Sequence, residues 1–282
     1  MAFCALVTAL IAVLASATFD ASAGNRTATA GSRGARAETP REQTGTTADP
    51  VDPVERASGA SGSLDHLVAA GRPIYCGAGT EPLVALTFDD GPGVLTQQTL
   101  DLLEARGMTA TFFLAGKLVG EPRFDGLPSQ AARLGALGDH TWDHVSVVGL
   151  STSELDAQIS RTRRAITTET GERVRLFRPP LGQHDDRSRD YVRSLGMLTI
   201  LWSVESGDSQ GASADRIYGA VRDSLSPGDI VLLHDNRGTT LKALPRILDL
   251  VEARGYTTVT VPELLELDPP TNAQLRAGTC PA

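Results

Sequence analysis

The sequence predicts an α/β domain in which helices wrap a mainly parallel sheet. Short apolar runs typical of buried strands alternate with segments of helical spacing through about seven units. The hydrophobic fraction of 41% is sufficient for a core of that size. The pattern does not distinguish an open sheet from a barrel. In both architectures, reactive groups are expected at the carboxyl ends of the strands.

The first half of this pattern contains the clearest strand signals. Leu83–Phe88 is an apolar run followed by polar residues, as in a buried parallel strand. Thr96–Arg106 has helical spacing and stops at Gly107. Ala110–Leu114 is a second predicted strand, and Ser129–Leu137 is predicted as a helix that leads into a short third strand.

The second half continues the alternation. Ser151 and Glu154 have the spacing of a capping box and open a predicted helix that extends to about Glu169. The remaining predicted strands are Val174–Phe177, Met197–Trp202, Ile230–His234 and Tyr256–Thr260, and the remaining helices are Arg187–Leu195, Ser213–Leu225 and Leu241–Arg254.

The first 23 residues are predicted to be a secretory signal peptide. Ala5–Ala17 is almost purely apolar, and Ala21-Ser22-Ala23 follows as a small-residue cleavage pattern. The stretch is shorter than the roughly 20 residues that a membrane span needs. No Lys or Arg precedes it, which leaves an uncleaved anchor as the alternative. We therefore expect a secreted or cell-surface protein without stable membrane insertion once the signal is removed.

Residues 24–63 are predicted to form a disordered linker, and residues 64–282 the folded domain. The linker is rich in Ala, Gly, Thr, Ser, Pro and charged residues and has almost no large apolar side chains to bury. Over the whole chain, 26 Lys and Arg stand against 34 Asp and Glu, a net charge of −8. This balance argues against a nucleic-acid partner, because no excess of cations exists to neutralise phosphates. We expect a monomer.

Three cysteines are present, and one of them, Cys4, lies in the predicted signal peptide. Cys76 and Cys280 remain at the two ends of the predicted domain. In an exported protein, two cysteines favour a disulfide. Two unrelated thiols are the alternative.

Asp89 and Asp90 directly follow the first predicted strand. Adjacent carboxylates repel each other unless a cation or an arginine offsets their charge, so one can bind a metal while its neighbour acts as a base. The alternative is a solvated Asp-Asp-Gly-Pro turn, since this composition is common in loops.

His140 and His144 form a second candidate. Their four-residue separation predicts a helical turn that turns both imidazoles toward one ion. Thr141 stands where a zincin would have glutamate, which excludes that class. Together with an aspartate from another strand, the pair gives two histidines and one carboxylate, with coordination positions left for water and substrate.

Of the other three histidines, only His234 lies where a reactive group is expected. It ends the strand Ile230–His234 at the carboxyl end, although a structural histidine is the alternative. His184 and His66 have no partners recognisable from the sequence and are expected to be structural or surface residues.

Through the motifs that contain these residues, the chain resembles the polysaccharide deacetylases, also called carbohydrate esterase family four. The resemblance extends from about Cys76 to Leu265 and rests on five motifs that occur in the family's order. These are Thr87–Gly91, His140–His144, Arg178–Gly182, Trp202–Ser209 and Leu232–His234.

The resemblance implies a deformed (β/α) barrel with about seven parallel strands and a role for each motif. Asp90, His140 and His144 would hold a divalent metal, usually zinc in this family. Asp89 would be the catalytic base that deprotonates a metal-activated water.

The remaining implied roles complete the reaction. Arg178 would orient Asp89, His234 would protonate the leaving amine, and Asp208 would orient His234 and raise its pKa. The backbone N–H of Leu181 would bind the oxyanion. Pro180, Leu181, Gly182 and Leu232 would contact the substrate.

Two departures from the family pattern concern the substrate. Leu181 stands where relatives usually have an aromatic residue, and Ser209 stands where relatives usually have tryptophan. Both changes remove surface that stacks on the sugar or walls the acetyl pocket, so the pocket is expected to be more open.

The activity implied by the resemblance is removal of N-acetyl groups from GlcNAc-containing polysaccharide, either peptidoglycan or chitin oligomers. Two alternatives stay open: an O-acetyl esterase on acetylated xylan, and an inactive glycan-binding domain. A binder would have no need to keep Asp89, Arg178 and His234 together, and this argues for an enzyme.

Overall fold

The computed structural model describes residues 64–280. The predicted signal peptide and linker lie outside the described residues, as do the last two residues of the predicted domain. Within the described part of the chain, no helix has the length and apolar character that a membrane crossing requires.

Eight parallel strands form the sheet, in the order β5-β4-β3-β2-β1-β7-β6, with β8 paired to β1. The strands are β1 (Leu83–Gly91), β2 (Thr111–Leu114), β3 (Ala136–Asp139), β4 (Leu176–Phe177), β5 (Leu198–Thr199), β6 (Val204–Glu205), β7 (Ile230–His234) and β8 (Thr257–Thr258).

Helices connect and cover these strands. They are α1 (residues 64–70), α2 (Thr96–Glu104), α3 (Gly116–Val119), α4 (Leu127–Leu134), α5 (Thr152–Leu155), α6 (Arg161–Thr170), α7 (Asp186–Ser194), α8 (Ala214–Ser224), α9 (Gly238–Ala253), α10 (Val261–Leu267) and α11 (Asn272–Ala277). The capping box predicted for Ser151 and Glu154 is present at the start of α5.

The sheet curls into the deformed barrel that the resemblance implied. β5 and β6 stand at the two ends of the strand order, and residues 74–76 bridge this gap. Ile74 pairs with Ile200 beside β5, and Cys76 pairs with Asp229 directly before β7. The predicted fold class is confirmed.

The alternation of side chains along the strands decides which residues reach the barrel interior. On β1, Val84, Leu86 and Phe88 pack in the larger core cluster, which includes the buried residues of the helices, whereas Ala85 belongs to a smaller second cluster. Asp89 follows Ala85 in this register and is therefore on the interior face. The period of two residues also puts Leu232 and His234 with Ile230 on the interior face of β7.

The predicted helix Ser129–Leu137 is wrong at its C-terminal end. α4 ends at Leu134, and Leu137 lies in β3. Gly135 separates the two elements, and a Cβ atom there would come 1.9 Å from the carbonyl oxygen of Ala110. The close approach of the neighbouring chain, which depends on tertiary structure, ends the helix at this glycine.

The predicted strand Met197–Trp202 is shorter in the structure and is followed by β6, which the sequence pattern did not indicate. Between β5 and β6 the backbone bonds to other partners: the N–H of Leu201 donates to Ile74, and the N–H of Ser203 donates to Ile230. The carbonyls of Ile200 and Leu201 accept hydrogen bonds from the Arg178 side chain. A buried side chain thus interrupts the strand.

Cys76 and Cys280 form the predicted disulfide, across a sequence separation of 204 residues. Closure of a loop of this length is worth roughly 5 kcal/mol in the chain-entropy model. The bond joins the segment that bridges the barrel gap to the residue that follows α11 by three positions.

We expect the double variant Cys76→Ser/Cys280→Ser to unfold at lower urea concentration, with a loss of about 2–5 kcal/mol in the free energy of unfolding. The reduced parent is the matched control and should unfold at the same urea concentration as the double variant. Intact mass should increase by about two daltons on reduction of the parent, as one disulfide requires. Equal midpoints for the double variant and the parent would contradict the prediction.

Candidate metal centre and acid–base site

Asp90, His140 and His144 come together at the carboxyl end of the sheet. Their ligand atoms all lie within 4.8 Å of one another. Asp90 Oδ1 is 3.1 Å from His144 Nε2 and 3.6 Å from His140 Nε2. Two imidazole nitrogens and one carboxylate oxygen around one point are a donor set that suits zinc and other divalent ions.

The tautomer of His140 favours metal binding. Its Nδ1 lies 2.7 Å from the carbonyl oxygen of Arg178, which can only accept, so Nδ1 carries the proton. Nε2 is then a free lone pair, directed toward Asp90 and Asp89. Burial lowers the pKa of His140 although both carboxylates act to raise it, so the neutral, ligating form is favoured.

The charges around Asp90 are consistent with a site for a cation. Burial acts to raise the pKa of the Asp90 carboxyl, but His144, His140 and His234 outweigh burial and lower it. The contact with Asp90 in turn raises the pKa of His144. His144 Nε2 lies 3.1 Å from Asp90 Oδ1, but no described residue donates a well-aligned hydrogen bond to this buried oxygen. The residues therefore fit a divalent metal, which would supply the missing partner.

The predicted helical turn at His140–His144 is wrong. The segment is a loop, in which Thr141 has φ 64° and His144 has φ 56°. Asp90 with φ 70° and Leu181 with φ 61° complete the set of described non-glycine residues in this left-handed region. All four lie in the motifs named above. Such conformations are costly and concentrate at functional sites, where the surrounding structure enforces them.

Asp89 lies beside the candidate metal triad, which is formed by Asp90, His140 and His144, and its carboxylate is bound by Arg178. The guanidinium donates from one Nη to Asp89 Oδ1 at 2.8 Å and to Thr87 Oγ1 at 2.7 Å. The second Asp89 oxygen is 3.7 Å from His140 Nε2. The carboxylate is 2% exposed, and the buried guanidinium is its opposite charge.

His234 and Asp208 form a second buried pair. His234 Nδ1 lies 2.8 Å from Asp208 Oδ1, while Asp208 Oδ2 accepts from the His234 backbone N–H and from the Thr240 hydroxyl. Burial acts to lower the pKa of His234, but Asp208, Asp89 and Asp90 outweigh it and raise the pKa to about 8. The imidazolium form is available as a proton donor near neutral pH.

Two further residues at the end of β7 were missed by sequence reasoning. Asp235 is 2% exposed, accepts a hydrogen bond from Thr96, and packs against Gly91, where a Cβ atom would come within 2.8 Å of its oxygen. Burial raises its pKa to about 7. Asn236 donates to Asp90 Oδ2 at 3.3 Å. In the sequence, only the positions of Asp235 and Asn236 directly after His234 indicate that they lie near the site.

The four predicted substrate contacts differ in exposure. Leu181 is 70% exposed, Pro180 is buried, and Leu232 is 4% exposed within β7. Gly182 faces the Trp202 ring, which would lie 3.0 Å from a Cβ atom at that position. Their contact with substrate remains a prediction.

Three residues of the sequence analysis do not join the metal triad. Ser209 is exposed. His184 lies on the loop before α7, and its Nδ1 is 3.1 Å from a guanidinium nitrogen of Arg189. His66 belongs to α1 and is exposed.

The chain is similar in sequence to proteins of one known family. Residues 77–200 match the family model described as polysaccharide deacetylase. A peptidoglycan-N-acetylglucosamine deacetylase of Bacillus cereus is 35% identical over 192 residues, covering 66% of this chain and 89% of that protein. A bifunctional xylanase/deacetylase of Pseudobutyrivibrio xylanivorans is 35% identical over 66% of this chain and 31% of that protein.

A solved structure of the same family is also similar to this chain. A pseudoenzyme of carbohydrate esterase family 4 from Bacillus anthracis has a TM-score of 0.64 and 29% identity, with 68% of each chain covered. The chain spans only about a third to two fifths of the length of several curated relatives that it matches.

We expect Asp208→Asn to lower the pKa of His234 from about 8 to below the ordinary histidine value, because burial then acts with less opposing charge. An NMR titration of the imidazole in the metal-free protein measures this change. Asp229→Asn is the matched control, because that carboxylate precedes β7 and bonds to Ser203 and Ser226 instead. A His234 titration unchanged in Asp208→Asn would refute the assignment.

Proposed function

Because the chain belongs to the polysaccharide deacetylase family, we propose that it is a metal-dependent hydrolase of N-acetyl groups on GlcNAc-containing polysaccharide, either peptidoglycan or chitin oligomers. One observation carries this proposal: a metal triad, a buried base and a buried acid converge on one end of the sheet. A domain that only bound glycans would not need this combination.

We assign Asp90, His140 and His144 as ligands of a divalent metal, with zinc as the proposed ion. The donor set of two imidazoles and one carboxylate is typical of catalytic zinc sites, which leave a position open. Such an ion supplies Lewis-acid chemistry: it polarises a carbonyl oxygen and makes water nucleophilic at neutral pH.

Asp89 is the proposed base. It takes a proton from the attacking water as the oxygen bonds to the acetyl carbon. Arg178 holds one carboxylate oxygen at 2.8 Å, which leaves the other directed toward the triad. The ion pair with Arg178 also sets the direction of the buried carboxylate before substrate arrives.

His234 is the proposed acid. As the C–N bond of the amide breaks, the imidazolium donates a proton to the departing sugar nitrogen. This leaves acetate and a free amine. Asp208 holds Nδ1, so the proton to be donated is on Nε2. A pKa of about 8 keeps the acid protonated at neutral pH.

The acetyl oxygen requires donors as negative charge develops on it. We propose that the backbone N–H of Leu181 is one of them, because Leu181 has a left-handed backbone and an exposed side chain in the 3₁₀ turn Pro180–Gly182. Pro180, Gly182 and Leu232 remain the proposed substrate contacts. The disulfide suits an oxidising compartment, so we place this activity outside the cytoplasm.

An O-acetyl esterase on xylan is the second candidate. The same metal, base and acid can cleave an ester, and one relative is named a bifunctional xylanase/deacetylase. Leu181 and Ser209 remove aromatic surface from the substrate side, and this loosens the requirement for one particular sugar.

We expect release of acetate from N-acetylglucosamine oligomers to stop after prolonged chelation and to return with zinc. Asp89→Asn should lower kcat by about 10²–10⁴-fold while zinc content stays at the parent value. Asp90→Asn is the matched variant and should lose zinc. The opposite outcome, in which Asp89→Asn loses zinc and Asp90→Asn keeps it, would show that the two roles are exchanged.

A substrate panel separates the two candidate activities. Peptidoglycan, chitin oligomers and acetylated xylan are compared by kcat/KM for acetate release. We expect the N-acetylated polymers to be preferred. A higher kcat/KM on xylan would favour the esterase, and absence of turnover on all three by the zinc-loaded protein would favour a binding domain.

A further inference from the structure

The loop between the two histidines of the proposed metal site belongs to no helix or strand. The backbone N–H groups of His140, Thr141, Trp142 and Asp143 nevertheless all have acceptors. His140 N–H donates to the carbonyl of Leu114, and Thr141 N–H donates to Asp139 Oδ1 at 2.9 Å. The carbonyls of Thr141 and Trp142 accept from the first two residues of α3.

The next two N–H groups both depend on one side chain. Gln158 Oε1 accepts from the N–H of Trp142 at 3.0 Å and from the N–H of Asp143 at 3.0 Å. Gln158 Nε2 donates to Asp143 Oδ2 at 3.2 Å. The amide therefore joins the middle of the loop to a different element of the fold.

Gln158 lies at the centre of a π turn. The helix that starts at α5 continues through the π turn Asp156–Ser160 into α6. The hydroxyl of Thr162 donates to the Gln158 carbonyl at 2.8 Å. A second contact supports the same loop, because the Arg161 guanidinium lies 3.6 Å from the centre of the Trp142 ring. Such π turns occur frequently at functional sites.

We infer that Gln158 is a positioning residue for the metal centre: its amide fixes the loop that sets the separation and direction of His140 and His144. The inference rests on the proposed function, because it needs these histidines to bind a metal. Thr141 and His144 both have left-handed backbone, which surrounding contacts must enforce. Without the Gln158 acceptor, two adjacent N–H groups lose their partner and His144 is free to move relative to His140.

Three substitutions separate the acceptor from the space that the side chain fills. Gln158→Met has a similar length but no strong acceptor, so both N–H groups become unpaired. Gln158→Asn retains an amide but is one methylene too short to reach them. Gln158→Glu retains acceptor oxygens in the same shape but replaces the bond to Asp143 with repulsion between two carboxylates. Gln97→Met on α2 is the control, because that amide bonds to Asp101 at the surface.

The measurement is zinc affinity of the full chain, by competition with a chromophoric chelator, with the thermal unfolding midpoint recorded for each metal-free variant. We expect Gln158→Met and Gln158→Asn to bind zinc about 10-fold to 100-fold more weakly than the parent, as is typical when a residue that orients a ligand is removed. Gln97→Met should stay within about threefold of the parent, and Gln158→Glu should bind zinc more tightly than Gln158→Met because it keeps the acceptor. The cobalt-substituted parent and Gln158→Met should differ in absorption spectrum.

Two results would overturn the inference. One is parent-like zinc affinity in folded Gln158→Met, and the other is equal weakening in Gln158→Met and Gln158→Glu. If the Met and Asn variants do not fold, hydrogen exchange of the Trp142 amide in the metal-free parent decides: protection supports the bond, and rapid exchange removes it. A folded parent that binds no zinc would refute the proposed function itself, and with it this inference.

Discussion

The buried guanidinium of Arg178 is the interaction on which the rest of the site depends. Its side chain is 0% exposed, and its nitrogens donate to Asp89, Thr87, Ile200 and Leu201. An unpaired charge at this depth would cost several kcal/mol, but four acceptors and the face of the Phe113 ring compensate it. The same contacts fix one Asp89 oxygen and join β1 to the segment after β5, across the barrel.

The backbone of Arg178 adds a second constraint. Its carbonyl accepts from His140 Nδ1, which sets the tautomer of a proposed metal ligand. One residue thus orients the proposed base with its side chain and a proposed ligand with its main chain. Because both contacts start from one buried residue, Arg178 holds the proposed base and the proposed ligand relative to each other. A conservative Arg-to-Lys change would not preserve it, since an ammonium group has no planar fork.

Opposite charges organise the remainder of the site. Arg178 is paired with Asp89, and His234 with Asp208. Among the described residues, Asp90 forms ion pairs only with the two imidazoles, and none donates a well-aligned hydrogen bond to its Oδ1. A divalent ion would balance this set. The strained loops around Asp90, Thr141 and His144 are consistent with a site that is assembled before the ion binds.

The sequence by itself determined the fold class, the strands that carry the site and the residue types at their ends. It could do so because parallel strands produce buried apolar runs, and because period-two alternation fixes which face a terminal residue occupies. Only the tertiary structure decided that His140 and His144 lie in a loop with left-handed residues. It also decided that β5 ends before the carbonyls that accept hydrogen bonds from Arg178, and that α4 ends before Gly135. The supporting contacts of Gln158, Asp235 and Asn236 belong to this second group. Each joins residues far apart in sequence or depends on the close approach of another chain segment, and no local pattern encodes such contacts.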